Sequence, residues 1–212
     1  MTKIRAIIFD MDGVLIDAKD WHYEALNRAL NLFGFNISRY DHLVTFDGLP
    51  TRKKLEMLSR EQSLPPELHG FINDLKQSYT LEAVHAKCKP RFQHEYALSR
   101  LKADGYKLAV ASNSVRQSVE LMMEKSQLRA YLDAIVSNQD VVKPKPAPDI
   151  YLKTAASMGV KPAECLVLED NPNGIASAKA AGCQLMVVHD VTDVTYDKIV
   201  AELNPGHAQR KS

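Results

Sequence analysis

The chain is poor in the features that mark specialised protein classes. Among 212 residues there are three cysteines and one tryptophan, and the 27 lysines and arginines all but cancel the 26 acids. Cys88, Cys165 and Cys183 show no metal-ligand spacing and leave an odd one over, which excludes a disulfide framework and predicts reduced thiols. A formal net charge of +1 gives no field for nucleic acid or an anionic membrane, and neither is expected as a partner. No apolar run approaches the ~18 residues of a membrane span, and the chain runs straight into its first strand, so a cytoplasmic location is expected. There is no internal repeat or low-complexity segment, and no heptad or surplus apolar face, so a monomer is expected. What is present, at 45% hydrophobic and 25% charged, is the composition of a soluble globular protein with a proper core.

The chain is organised around Lys3 to Asp17. Its apolar run, Ile4 to Phe9, is short and rich in β-branched residues, which predicts a buried parallel strand. The run ends on Asp10-Met11-Asp12-Gly13. Alternate residues of an extended chain share a side, so Asp10 and Asp12 converge beyond the strand's carboxyl end, where open α/β sheets place ligands. Such a pair either caps the strand end or binds a divalent cation. Two carboxylates at ~4 Å repel by about 4 kcal/mol at an effective dielectric of about 20 unless a cation or proton intervenes.

Helical periodicity follows over Lys19 to Phe33, Thr51 to Arg60, and from Pro65-Pro66-Glu67 through Leu68, Phe71, Ile72, Leu75 and Tyr79. The stretch from Ala18 to Val84 has no convincing strand. Thereafter helices and strands alternate. Helices are expected at Phe92 to Ala103, Val115 to Lys125, Asp149 to Met158 and Asn173 to Ala181, and strands at Lys107 to Ala111, Ala134 to Ser137, Cys165 to Leu168 and Leu185 to Val188. Five short apolar strands in this alternation predict an α/β fold, a doubly wound parallel five-stranded Rossmann-like core with an inserted all-helical cap. The expected division is residues 1–17 and 85–205 for the core, 18–84 for the cap, and a disordered tail over 206–212.

Three more strand ends carry polar residues. Ser112-Asn113-Ser114 opens a helix, either as plain N-caps or as a cradle for an anion. Lys143-Pro144-Lys145-Pro146-Ala147-Pro148-Asp149 is either a rigid linker with solvated lysines or a device that presents one lysine at a fixed place. Glu169-Asp170 brings two carboxylates to the sheet edge that carries Asp10.

In order and spacing these four stretches resemble the motifs of the haloacid-dehalogenase superfamily, in the branch of small-metabolite phosphatases and phosphomutases with a helical cap after the first strand. The resemblance extends from Ala6 to about Val188. It implies Asp10 as nucleophile and Asp12 as general acid and base. Ser112, Asn113 and Lys145 would bind the phosphoryl group, and a Mg²⁺ ion would be placed by Asp10, Asp12, Asp170 and Glu169. Pro144 and Asn171 depart from the glycine and serine common in relatives. Lys145 is preferred over Lys143 because Pro146-Ala147-Pro148-Asp149 sets the register.

Physical chemistry fits these implied roles. A phosphate dianion repels an attacking carboxylate, so a cation and the Lys145 ammonium must neutralise charge along the line of attack. A closing cap supplies selectivity and excludes water, with His22, Arg52 and Lys76 as its candidate substrate contacts. Lys53 and Lys54 read as surface residues, and Arg116 faces either phosphate or solvent. The expected partner is a small phosphorylated metabolite. Three activities stay open: a Mg²⁺-dependent phosphohydrolase, which comes first; a phosphomutase of the beta-phosphoglucomutase type; and, in another class, a phospho-acceptor signalling module.

Overall fold

The computed structural model describes residues 2–204; the tail expected over 206–212 lies outside them. Two compact units emerge, one of Met1–Asp17 with Lys89–Ser212 and one of Ala18–Cys88. The second junction, expected near His85, falls after Cys88 because the helix that begins at His69 continues to Lys87.

The first unit is a five-stranded parallel sheet in the order β3-β2-β1-β4-β5. Its strands are β1 (Ala6–Phe9), β2 (Lys107–Ala111), β3 (Ala134–Val136), β4 (Cys165–Glu169) and β5 (Gln184–Val187). Helices α5 (Phe92–Ala103), α6 (Arg116–Lys125), α7 (Asp149–Ser157), α8 (Pro172–Ala181) and α9 (Tyr196–Leu203) surround it. The doubly wound reading holds. Every residue of β1 is buried, as the continuous apolar run required. Ala6 and Ile8 face a core built from Ala109, Ala111, Val136, Val167 and the inner sides of α7 and α8, including Ile150, Tyr151 and Ala178. α9 is an addition to the expected elements; Thr195 caps it by accepting from the Lys198 amide.

Register turns the sheet into a site. Phe9 lies opposite Val110 on one side and Leu168 on the other, so the residues after all three strands leave at one level. The Asp10 amide donates to the Leu168 carbonyl at 3.0 Å and extends that ladder by one residue. The chain then turns sharply: the amides of Leu15 and Ile16 both bond the Met11 carbonyl. Gly13 sits at φ 92°, a left-handed conformation that residues with a side chain rarely adopt.

The second unit is helical: α1 (Lys19–Asn31), the short α2 (Arg39–Asp41), a π-helical turn over His42–Phe46, α3 (Thr51–Gln62) and α4 (His69–Lys87). Leu26, Leu30, Phe46, Leu55, Leu58 and Ile72 form its core, each worth roughly 1.5–3 kcal/mol of burial. Lys54, read as a surface lysine, is buried, because it shares the inner face of α3 with Leu55 and Leu58. His42 is buried too, with neither ring nitrogen hydrogen-bonded. Burial, then Lys54 beside it, pushes its imidazole down to about 4.

Candidate active site

The carboxyl ends of β1, β2 and β4 and the loop before α7 bring four sequence-distant stretches together. Lys145 is 4% exposed, and its ammonium lies 2.6 Å from Asp10 Oδ1 and 2.5 Å from Glu169 Oε1. Lys143 is exposed, so Lys145 is the lysine at the aspartate. Burial opposes the Lys145 charge, but Asp10 and Glu169 outweigh it and raise the ammonium above its ordinary range. Asp10 is also raised well above its ordinary value, first by burial and then, against Lys145, by Glu169, Asp12 and Asp170. Four carboxylates thus face one ammonium, an excess of negative charge that calls for a further cation.

Oxygen ligand atoms of Asp10, Glu169 and Asp170 all lie within 4.8 Å of one another. An all-carboxylate donor set suits a hard divalent ion such as Mg²⁺. One expected ligand stands apart. The Asp12 side chain is outside this cluster, and Ser114 Oγ donates to its Oδ2 at 2.9 Å. Glu169 is inside it, with Oε1 accepting from Lys145 and Tyr151 and Oε2 from the amides of Asp170 and Asn171. Asp10, Glu169 and Asp170 are the carboxylates close enough to share an ion.

The phosphate candidates also divide. Ser112 is buried at the end of β2, its hydroxyl accepting from the Ser114 amide at 3.0 Å. Asn113, expected to bind phosphate, instead grips the lysine loop: its Oδ1 accepts from the Lys145 amide at 3.1 Å and its Nδ2 donates to the Lys145 carbonyl. The Lys145–Pro146 peptide is cis. Arg116 is on the solvent side, its side chain 40% exposed, and pairs with Asp140 at 2.6 Å and Glu120 at 3.1 Å.

In the helical unit Lys76 Nζ and His22 Nδ1 lie 3.2 Å apart. Arg52 does not join them: its side chain is 89% exposed and pairs with Glu56 one turn on. Ser114 and Tyr151 were missed from sequence. A serine beside a candidate N-cap looks like more capping, and a tyrosine on the apolar side of a helix looks like core. The only signal for Tyr151 was a hydroxyl on a face otherwise made of Ile150, Thr154 and Ala155.

A parallel sheet with a buried lysine–carboxylate cluster at its carboxyl edge defines a catalytic α/β domain. The family model described as haloacid dehalogenase-like hydrolase matches residues 7–188, and the chain belongs to that family. It is 30% identical over 195 residues to the phosphorylated carbohydrates phosphatase of Thermotoga maritima, a match that covers 90% of this chain and 88% of that one. The crystal structure of CbbY from Rhodobacter sphaeroides in complex with phosphate matches with a TM-score of 0.78 at 26% identity, covering 87% and 85% of the two chains. Beta-phosphoglucomutase from Clostridium difficile, at 21% identity, shares the fold with a TM-score of 0.83 over 95% and 98%. The protein is therefore an enzyme of the hydrolase family, and the signalling-module reading falls. Among the described residues no helix is long and apolar enough to cross a membrane.

Proposed function

We infer that the chain is a Mg²⁺-dependent phosphohydrolase of small phosphorylated metabolites, with phosphorylated carbohydrates first among them. The observation that carries this reading is the Lys145 ammonium held 2.6 Å from a buried Asp10 at the carboxyl edge of the sheet. Similarity to a phosphatase of phosphorylated carbohydrates supports the substrate class.

Asp10 attacks phosphorus, and the bond from phosphorus to the leaving oxygen breaks as the bond to Asp10 forms. Asp12 gives its proton to that oxygen, so the alcohol departs neutral. The aspartyl phosphate so formed divides one hard displacement into two easier ones. Asp12, now a carboxylate, takes a proton from water; the water oxygen binds phosphorus and Asp10 is released. Ser114 holds one Asp12 oxygen and so sets the direction of its partner. Lys145 and the Ser112 hydroxyl hold the phosphoryl oxygens, and Asp10 and Asp170, with Glu169 beside them, would hold the metal. A bound Mg²⁺ ion supplies charge neutralisation at the transferring group.

In this reading the sheet unit is the catalytic core and the helical unit the cap that selects the substrate, with His22 and Lys76 as its recognition groups and a cytoplasmic monomer as its setting. The test is phosphate release from a panel of sugar phosphates and phosphoglycolate, with and without Mg²⁺, for the parent chain and Asp10→Asn. Release that needs both Mg²⁺ and Asp10 is expected. Turnover by Asp10→Asn, or none by the parent on any member, overturns the reading.

A further inference from the structure

The inner face of α7 carries a phenol group that phosphoryl transfer does not use directly. Tyr151 is fully buried among Ile8, Ala109, Val167 and Ala178, yet its hydroxyl donates to Glu169 Oε1 at 2.8 Å. That oxygen is the one that accepts from Lys145 at 2.5 Å. The ring of the same tyrosine lies 4.8 Å from the Lys145 ammonium. Tyr151 therefore meets the lysine twice, once through its π face and once through the carboxylate that holds the lysine.

Glu169 has no freedom of its own. A carboxylate offers about four lone-pair sites, and here Lys145, Tyr151 and the amides of Asp170 and Asn171 take them all. Its carboxylate also fills the space where a side chain on Gly174 would stand. Lysine needs this support. Its ammonium is a point charge on a flexible four-carbon stem, with no planar fork to dictate direction. A core that required only an aromatic plate at 151 is served as well by phenylalanine, but phenylalanine leaves Glu169 one donor short.

The geometry points to Tyr151 as a positioning residue for phosphoryl transfer: it fixes Glu169, and Glu169 fixes Lys145 at Asp10. Glu169 is then an orienting group for the lysine as well as a member of the acidic cluster. This assignment rests on the phosphohydrolase reading and adds to it a residue outside the reacting atoms.

Tyr151→Phe keeps the ring and removes one donor. Its kcat is expected to fall about 10–100-fold, the worth of one hydrogen bond to a charged group expressed in the transition state. KM for the sugar phosphate should stay within about threefold. Orthovanadate, which adopts the five-coordinate geometry of a transferring phosphoryl group, should inhibit the variant more weakly by the same factor as the loss in kcat/KM. Mg²⁺ affinity, measured by calorimetry without substrate, should change by less than about twofold, since the donor set of Asp10 and Asp170 is untouched. Loss of folded molecules lowers kcat but leaves the vanadate constant where it was, so the parallel shift separates positioning from a structural defect. A Tyr151→Phe variant with parental kcat and vanadate inhibition overturns the role, and so does one whose Mg²⁺ affinity falls together with its activity. A parent that neither releases phosphate nor binds vanadate overturns the functional reading and this one with it; an active parent beside an indifferent variant overturns this one alone.

Discussion

Gly174→Ala should reverse the usual sign of a helix substitution. In the interior of an ordinary helix, glycine to alanine gains about 0.5–1 kcal/mol. Gly174 lies inside α8 with no positive φ, so its backbone accepts alanine without strain. The obstacle is space: a Cβ at 174 falls well within 3.0 Å of the carboxyl carbon and both oxygens of Glu169. The end of a glutamate side chain ordinarily swings aside at little cost. This one is tied by four hydrogen bonds, two from side chains and two from backbone amides. If two of these are lost, at about 1.5–3 kcal/mol each, the cost is about 3–6 kcal/mol, which outweighs the helix gain. The expected net loss is about 2–5 kcal/mol, or a melting temperature lower by roughly 5–15 °C in a chain of this size. Turnover should fall with it, because Lys145 loses the carboxylate that orients it. Calorimetric melting and phosphate release measure the two effects. The double variant with Glu169→Ala, which empties the space, should make the alanine at 174 neutral or stabilising by up to about 1 kcal/mol. A Gly174→Ala protein that melts at or above the parent and turns over normally would refute this, as would an undiminished penalty in the double variant.

Other outcomes can be checked alongside. Lys145→Met should lower kcat by about 10²–10³-fold or more while Lys143→Met leaves it unchanged; equal effects would remove the distinction between the two lysines. Ser114→Ala should lower kcat by about tenfold with KM little altered, because Asp12 loses the donor that aims it; a change confined to KM would place Ser114 in ground-state binding instead. His42 is neutral in the fold, with its pKa at about 4 against 6.5 for the free side chain. Between those values the unfolded chain takes up a proton that the folded chain refuses. Its contribution is therefore fully present above pH 6.5 and is lost as the pH falls towards 4, by at most about 3 kcal/mol. Denaturant melts across that range should show the slope, and His42→Leu should flatten it; an unchanged slope would place the titrating group elsewhere.

Much of the sheet was legible because parallel strands buried on both faces must be continuously apolar, and because glycines stop the helices between them. β2 runs over Lys107–Ala111 as expected, and the other strands differ by only a residue or two at an end. Asp10 and Asp170 stand just beyond β1 and β4 and Glu169 ends β4, so their meeting followed from the strands, while Lys145, well past β3, was placed with them by the family resemblance. What stayed hidden depends on side-chain direction. Lys54 reads as one of three consecutive basic residues, and only the phase of α3 turns it inward. The amide of Asn113 looks ready for an anion until the lysine loop, thirty-two residues later in the chain, folds back onto it. The resemblance gave Glu169 as a metal ligand, but not the hydrogen bonds that hold it. Its four donors include two amides of its own turn and a tyrosine whose hydroxyl no period reveals. α9 was overlooked because it is brief and mixes apolar with charged residues, and the π-helical turn because five residues are too few to show a period.

The place of β1 in the sheet also has a consequence for how the enzyme comes into being. Its flanking partners are encoded at Lys107–Ala111 and Cys165–Glu169, so both edges of β1 are covered only once β4 has been made. Until β4 emerges, Asp10 has no Leu168 carbonyl to register it and Lys145 has no Glu169 to hold it. During synthesis Asp10 therefore stands without its ladder partner, and without the paired Glu169 and Lys145 beside it, until β4 joins the sheet.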